Sequence, residues 1–339
     1  MKKRIIIILF LFMTMAVLPM LSVRGWDSLL SPDAESSEPE RSAPGDSAGN
    51  DSEDSFIILD TSTGNTVKLS GKEFLRGALS YEMAPSFETE ALKAQAVACY
   101  TYFSRLREHQ RENPDPEMKG ADIKADLSIG QFYLSDSQLR EKWGSSYEKG
   151  ISKIKSVCDS VYGMTITDSG GELIDAAYHA NSGGCTEDAG EVFGIENKNL
   201  RRVASPGDAY APDYITDTAF TADEFRERLH NSGSEIKFSG SPEDYIKSCD
   251  CTPAGTVRKI NICGTSLTGQ QIRKAFDLNS AVFAIEYSDG IFTFTVRGCG
   301  HGVGMSQYGA NSMALSGAGF EEILLHYYSD AEIRSQEFI

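Results

Sequence analysis

Residues 75–104, LRGALSYEMAPSFETEALKAQAVACYTYFS, read as two helices meeting at a proline. Pro85 has no N–H and disfavours the α conformation at Ala84, so a helix running through Phe74, Ala78 and Glu82 must stop there. Ser70 and Glu73 are spaced as a capping box for this first helix, and Ser86 is placed to cap the second. In the second helix Ala91, Ala94, Gln95, Ala98 and Tyr102 share a small-residue face suited to close packing. Glu82 therefore falls at a helix–helix corner. A carboxylate at a helix C-terminus feels the negative end of the dipole and, when partly desolvated, is driven toward its protonated form, as a general acid requires. From the pattern alone an ordinary surface glutamate is the competing reading.

The 339 residues suffice for one large domain or two ordinary ones, and the formal charge of -17 argues against nucleic acid as a partner. Lys2, Lys3 and Arg4 precede an uncharged apolar run over residues 5–23, long enough to cross a hydrocarbon core as a helix. The run exceeds a usual signal-peptide core and no clear cleavage site follows, which favours a retained anchor over a cleaved export signal. The positive-inside rule then puts the remainder outside the cytoplasm, as a single-pass membrane protein. Residues 27–54 are rich in Ser, Pro, Gly and acids, with Arg41 the only base, and read as a disordered tether. The expected organisation is a cytoplasmic tip and anchor at 1–24, an acidic linker at 25–55 and a folded ectodomain at 56–339.

Within that ectodomain the pattern predicts strands at 56–59 and 67–69 around a Gly64-Asn65 turn. A loop follows at 113–122 and a helix at 147–158. Residues 163–166 and 172–179 alternate as a hairpin around Gly170-Gly171. Thr221 and Glu224 cap a helix over 221–230; a strand at 256–263 and a helix at 268–278 follow. Strands at 281–287 and 291–297 join through Asp289-Gly290, a two-residue hairpin signal. Arg297-Gly-Cys-Gly-His-Gly-Val-Gly-Met-Ser-Gln-Tyr-Gly-Ala310 can be neither a good helix nor a good strand and reads as a backbone-lined loop opening a helix at 306–315. A last helix covers 320–328. No internal repeat is visible, and irregular alternation with hairpins predicts an α+β fold, a single mixed globular unit of one or two lobes around a groove.

The seven cysteines cannot all pair within the chain. Cys99 lies on the small-residue helix face and reads as a buried apolar group. Cys249 and Cys251 form a Cys-x-Cys in what reads as a polar loop, free to bind metal or to pair elsewhere. His179 and Cys185 flank Ser182-Gly183-Gly184, and Cys299 and His301 flank Gly300. Two thiols and two imidazoles suit tetrahedral zinc, although neither spacing is a standard finger pattern. A Cys185–Cys299 disulfide or plain structural turns compete with that reading. Asn181 and Ser182 are placed to donate to a polar ligand, and turn chemistry accounts for them too.

Three blocks in order carry a family resemblance: Glu-Met-x-x-Ser-Phe-x-x-Glu-Ala-Leu-Lys-Ala-Gln-Ala from Glu82, Ser-Gly-Gly with Glu-Val-Phe-Gly between residues 180 and 194, and Gly-His-Gly-Val-Gly-Met-Ser-Gln-Tyr-Gly-Ala with a closing His-Tyr-Tyr between 298 and 328. Over about residues 56–339 the chain resembles the stage II sporulation protein D family. That resemblance implies a membrane-anchored lytic transglycosylase acting on septal peptidoglycan during engulfment, preferring glycan strands stripped of stem peptides. It implies Glu82 as the catalytic acid, and Lys93, Gln95, Ser306, Gln307 and Tyr308, with Ser182, as candidates for the glycan groove. It implies as partners an amidase, stage II sporulation protein P, and a membrane protein, M. Cys185 and Cys299 depart from the commonest family pattern, and each puts a thiol beside a histidine. This raises the expectation of zinc at His179, Cys185, Cys299 and His301, with four protein ligands and hence a structural role. Related proteins are described as amidase enhancers, so a non-catalytic binder that activates an amidase is the alternative; an open-site zinc amidase is a further one.

Overall fold

The computed structural model describes residues 54–335, and the expected anchor and most of the expected linker lie outside the described residues. Among the described residues no helix is long and apolar enough to cross a membrane.

β1 (Ser55–Asp60) runs antiparallel to β2 (Thr66–Ser70), with Phe56 opposite Leu69, and parallel to β3 (Ile123–Ala125). α1 (Gly71–Glu82) starts where Ser70 Oγ accepts from the Glu73 N–H at 3.3 Å; the capping box expected there reduces to this single bond. It ends at Met83, whose extended backbone (φ -134°) begins the Pro85 corner. α2 (Thr89–Glu112) starts later than the Ser86 cap would put it, because Phe87 N–H folds back onto the Ala84 carbonyl and Ser86 is used up in that turn. Glu88 is its N-cap residue without a side-chain cap bond, and its own N–H is held instead by Asn311 Oδ1 at 2.7 Å.

The small face of α2 does what the pattern predicts. Ala91, Ala94, Gln95 and Ala98 are wholly buried, and α2 is the central helix of the first core. α3 (Asp136–Trp143), which the pattern did not reveal, opens with a complete Ser135/Gln138 capping box. α4 (Tyr147–Val161) buries Ile151, Ile154, Val157 and Cys158 at helical spacing. β4 (Met164–Asp168) turns back through Gly170-Gly171 as the pattern predicts, with the Asp168 N–H donating to the Glu172 carbonyl at 2.9 Å, the Ile174 N–H to the Ile166 carbonyl at 3.1 Å and an antiparallel Thr167–Leu173 bridge, but the pairing stops at Ile174 rather than running on to 179. β5 (Tyr178–His179) is two residues long, and α5 (Ala189–Phe193) is a single short helix.

A second core occupies the middle of the chain. β6 (Ile215–Thr221) leads into α6 (Ala222–Asn231), capped by the reciprocal Thr221/Glu224 box that the sequence predicts. β7 (Ile246–Cys251), β8 (Val257–Ile262) and β9 (Thr265–Thr268) form one antiparallel sheet, so Cys249 and Cys251 sit in a strand rather than a loop. α7 (Gly269–Phe276) follows. β10 (Phe283–Ser288) and β11 (Ile291–Arg297) close as expected through Asp289 and Gly290, both at positive φ. Along β11 Phe292, Phe294 and Val296 point inward with period two, and Phe292 stacks on Phe225 at 4.1 Å.

The chain then returns to the first core. β12 (Met305–Ser306) pairs parallel with β5, α8 (Gln307–Leu315) and α9 (Phe320–Tyr327) pack on α2, and β13 (Ala331–Ser335) pairs antiparallel with β4, Ile333 opposite Ile166. The two cores are tied together by Arg258 gripping both oxygens of Glu191, and by Thr252 donating to the buried Glu187 carboxylate. The expected α+β class follows.

Candidate active site

Glu82 is the last residue of α1, turned inward by the Met83–Pro85 break. Tyr178 Oη donates to Glu82 Oε1 at 3.2 Å, and Gln307 Nε2 donates to Glu82 Oε2 at 3.3 Å. These donors are far apart in sequence and adjacent because β5 and β12 pair in register, Met305 opposite Tyr178 and Ser306 opposite His179. Gly304 makes that pairing possible: its φ is +74°, and a Cβ there would lie 1.9 Å from the Ala177 carbonyl oxygen. The glycine-rich loop is thus the means by which the third block reaches the first.

Burial pushes the Glu82 carboxyl up to about 7, and the Tyr178 and Gln307 hydrogen bonds and the Lys142 ammonium pull the other way. Burial prevails because both donors are neutral and their bonds long. Lys142, from α3, is itself lowered by burial and raised by Glu82. Beneath the acid, Cys99 Sγ lies 3.7 Å from Tyr178 Oη, and burial together with the Glu82 charge keeps its thiol protonated. Among the described residues the groups that shift Glu82 are Tyr178, Gln307 and Lys142, none of them acidic. The arrangement is a single neutral-capable carboxyl between two neutral donors.

Of the residues expected in a groove, only Gln307 reaches Glu82. Gln95 is wholly buried and acts on it indirectly, its Oε1 lying 3.5 Å from Gln307 Nε2. Lys93 is paired with Glu90 at 2.8 Å and lies 5.8 Å from the Phe320 ring, while Glu90 also accepts from the Phe320 N–H. Tyr308 packs on Phe87 with ring centroids 5.2 Å apart, beside the Pro85 corner. Ser182 and Ser306 are buried, and both donate their hydroxyls to Asp208, which also accepts from the Ser182 N–H at 2.8 Å. Ser306 Oγ in turn caps α8 by accepting from Gly309 N–H at 3.1 Å. Sequence reading missed Tyr178, Lys142 and Asp208. Asp208 clamps the Ser-Gly-Gly turn to the start of α8, and nothing in its Pro-Gly-Asp surroundings marks it out.

The four residues expected to hold zinc do not fit it as they are arranged. The His179 and His301 rings are 5.6 Å apart, but among the described residues no three His, Cys, Asp or Glu side chains form a group able to hold a metal ion. His179 Nδ1 bonds the Val303 carbonyl at 3.1 Å, which leaves Nε2 buried without a partner. His301 Nδ1 instead accepts from the Val303 N–H, and its ring bonds the Tyr178 backbone as well. Cys185 and Cys299 are free thiols, both kept protonated by burial.

With this geometry in hand, comparison with known proteins gives a consistent answer. A family model described as SpoIID, stage II sporulation protein, matches residues 60–167. Stage II sporulation protein D of Bacillus subtilis is 36% identical over 262 residues, covering 77% of this chain and 74% of that protein. The protein of the same name from Bacillus amyloliquefaciens is 33% identical over 82% of this chain and 78% of its own length. A Bacillus subtilis protein named amidase enhancer is 26% identical over 77% of this chain but only 40% of its own length.

Proposed function

The chain belongs to the stage II sporulation protein D family, and from that premise we propose that it is a peptidoglycan lytic transglycosylase of the sporulation septum with Glu82 as its acid and base. One observation carries the reading: a buried carboxyl raised to about 7 and held by two neutral donors, with no acidic group among the described residues that shift it. Two-acid glycosidases need a second carboxylate to activate water or to attack the sugar. A lytic transglycosylase needs neither. Protonated Glu82 gives its proton to the glycosidic oxygen after N-acetylmuramic acid as the C1–O bond breaks. The resulting carboxylate then takes the proton of that sugar's own 6-hydroxyl while O6 bonds to C1, closing a 1,6-anhydro ring and restoring the acid.

In this reading Tyr178 and Gln307 steady the carboxylate between the two proton transfers, and Lys142 adds a cation nearby. Asp208 holds the two loops that bring those donors into place. Residues 5–23 anchor the chain, the acidic linker lets it reach septal glycan strands, and an amidase of the same process strips the stem peptides first, with proteins P and M as the partners proposed.

A second reading rests on the likeness to the amidase enhancer: a non-catalytic peptidoglycan binder that activates a partner amidase. One experiment separates them. Purified chain incubated with peptide-free glycan should release anhydro-muramyl products, and Glu82→Gln should release none. Equal product from both proteins, or none from either together with a stimulated amidase, would overturn the enzyme reading.

A further inference from the structure

Cys249 and Cys251 belong to no part of the site described above. They lie two apart on β7, which in its three-stranded sheet pairs only with β8 and so is an edge strand. Residues two apart on a strand face the same side, and the two sulfurs are 3.8 Å from each other, both on exposed residues. The pairing of Cys249 with Ile260 and of Cys251 with Val257 holds the backbone under both.

That separation has chemical meaning. Two thiolates bound at about 2.3 Å to one tetrahedral metal ion stand about 3.8 Å apart, whereas a disulfide needs its sulfurs at about 2.05 Å. The thiols are therefore spaced for chelation, and would have to close by more than an ångström and a half to oxidise. Asp250 between them projects to the other side and lies 3.9 Å from Arg258, whose guanidinium also donates to the Cys251 carbonyl at 3.0 Å, so it is held away from the sulfurs.

We infer that Cys249 and Cys251 form a two-thiolate chelate for a soft d¹⁰ metal ion such as zinc or cadmium, open to solvent at its remaining coordination positions. Two protein ligands make an exchangeable site, unlike the closed four-ligand shell of a structural zinc. Binding releases the two thiol protons and leaves the metal's charge formally neutralised by two thiolates. Because the ligating sulfurs must be deprotonated, binding strengthens as pH rises.

The test is titration of the reduced full-length chain with cadmium, read by the ultraviolet thiolate-to-metal charge-transfer band. One equivalent should bind, and Cys249→Ser or Cys251→Ser should each weaken binding by about tenfold or more with an unchanged melting temperature. A Cys185→Ser/Cys299→Ser double variant should bind like the parent. No band, a band that survives both single substitutions, one lost in the double variant instead, or a Cys249–Cys251 disulfide in the protein as isolated would each overturn the proposal.

Discussion

Glu82 and the His179–His301 pair face the same physical condition and answer it in opposite directions. Burial disfavours charge at both places. It lifts the carboxyl to about 7 and lowers His179 to about 4 and His301 to about 3. At neutral pH the acid side of the molecule therefore holds a proton it can give, while the imidazoles hold none beyond their neutral form. The difference lies in what surrounds each group. Glu82 has hydrogen-bond donors on both oxygens and an ammonium within range, so its ionised form remains reachable, as a group that must cycle between two states requires. The imidazoles bond to the Val303 backbone and serve to join loops.

The sharpest way to break this contrast is Glu82→Gln. It should lower anhydro-sugar release by about a thousandfold or more, within the range for a lost general acid, and should also stabilise the fold at neutral pH. Glu82 binds its proton more tightly folded than at its ordinary value of 4.5. Its contribution is therefore present at low pH and lost as pH rises from 4.5 through about 7. Above that range the buried charge costs on the order of 3 kcal/mol, which glutamine removes. Denaturant unfolding of parent and variant should differ far more at pH 8 than at pH 5.

The histidines should show the reverse slope. Their folded values lie below the ordinary 6.5, so the unfolded chain takes up protons first and stability is lost as pH falls from 6.5 toward 4. Each contributes about 1.4 kcal/mol per pH unit in that window. His301→Gln should flatten the acid limb relative to the parent; an unchanged limb would mean the ring is not buried neutral.

The donors come next. Tyr178→Phe or Gln307→Leu removes a hydrogen bond that lowers the Glu82 value, so the carboxyl should hold its proton to higher pH. The descending alkaline limb of kcat/KM should move upward as the rate falls about tenfold, less than the roughly 10²- to 10⁴-fold of a group that transfers the proton itself. A rate loss with an unmoved limb would make these residues structural only.

The parts legible in the sequence are those with a local cause. Pro85 stops α1, Thr221 and Glu224 cap α6, and Asp289-Gly290 turns β10 into β11, each within a few residues of its effect. The parts not legible depend on distant partners. The strand that pairs with β4 along its whole length, β13, comes from the far end of the described residues. β7 shows no alternation, being an edge strand exposed along almost its whole length, and so read as a loop. Tyr178 was invisible as a site residue because its placement rests on a two-residue parallel pairing with a strand far along the chain. Glu82 could be named from its corner, but the donors that tune it could not.

The smallest expected effect decides a question that the family resemblance left open, whether Gln95 touches glycan. Gln307 Nε2 lies between Glu82 Oε2 at 3.3 Å and Gln95 Oε1 at 3.5 Å, so the Gln95 oxygen fixes which end of the Gln307 amide faces the acid. Were that amide to turn over, its carbonyl would oppose the carboxylate and the donor would be lost. Gln95→Leu should therefore lower kcat about two- to threefold, the size of a weak, indirect hydrogen bond, with KM unchanged because the residue is sealed from substrate. Stability should hardly move, since Gln95 Nε2 is a buried donor without a partner and its removal offsets the lost bond. A raised KM at constant kcat would instead put Gln95 in the groove, which would require the α2–α8 contact to open when glycan binds.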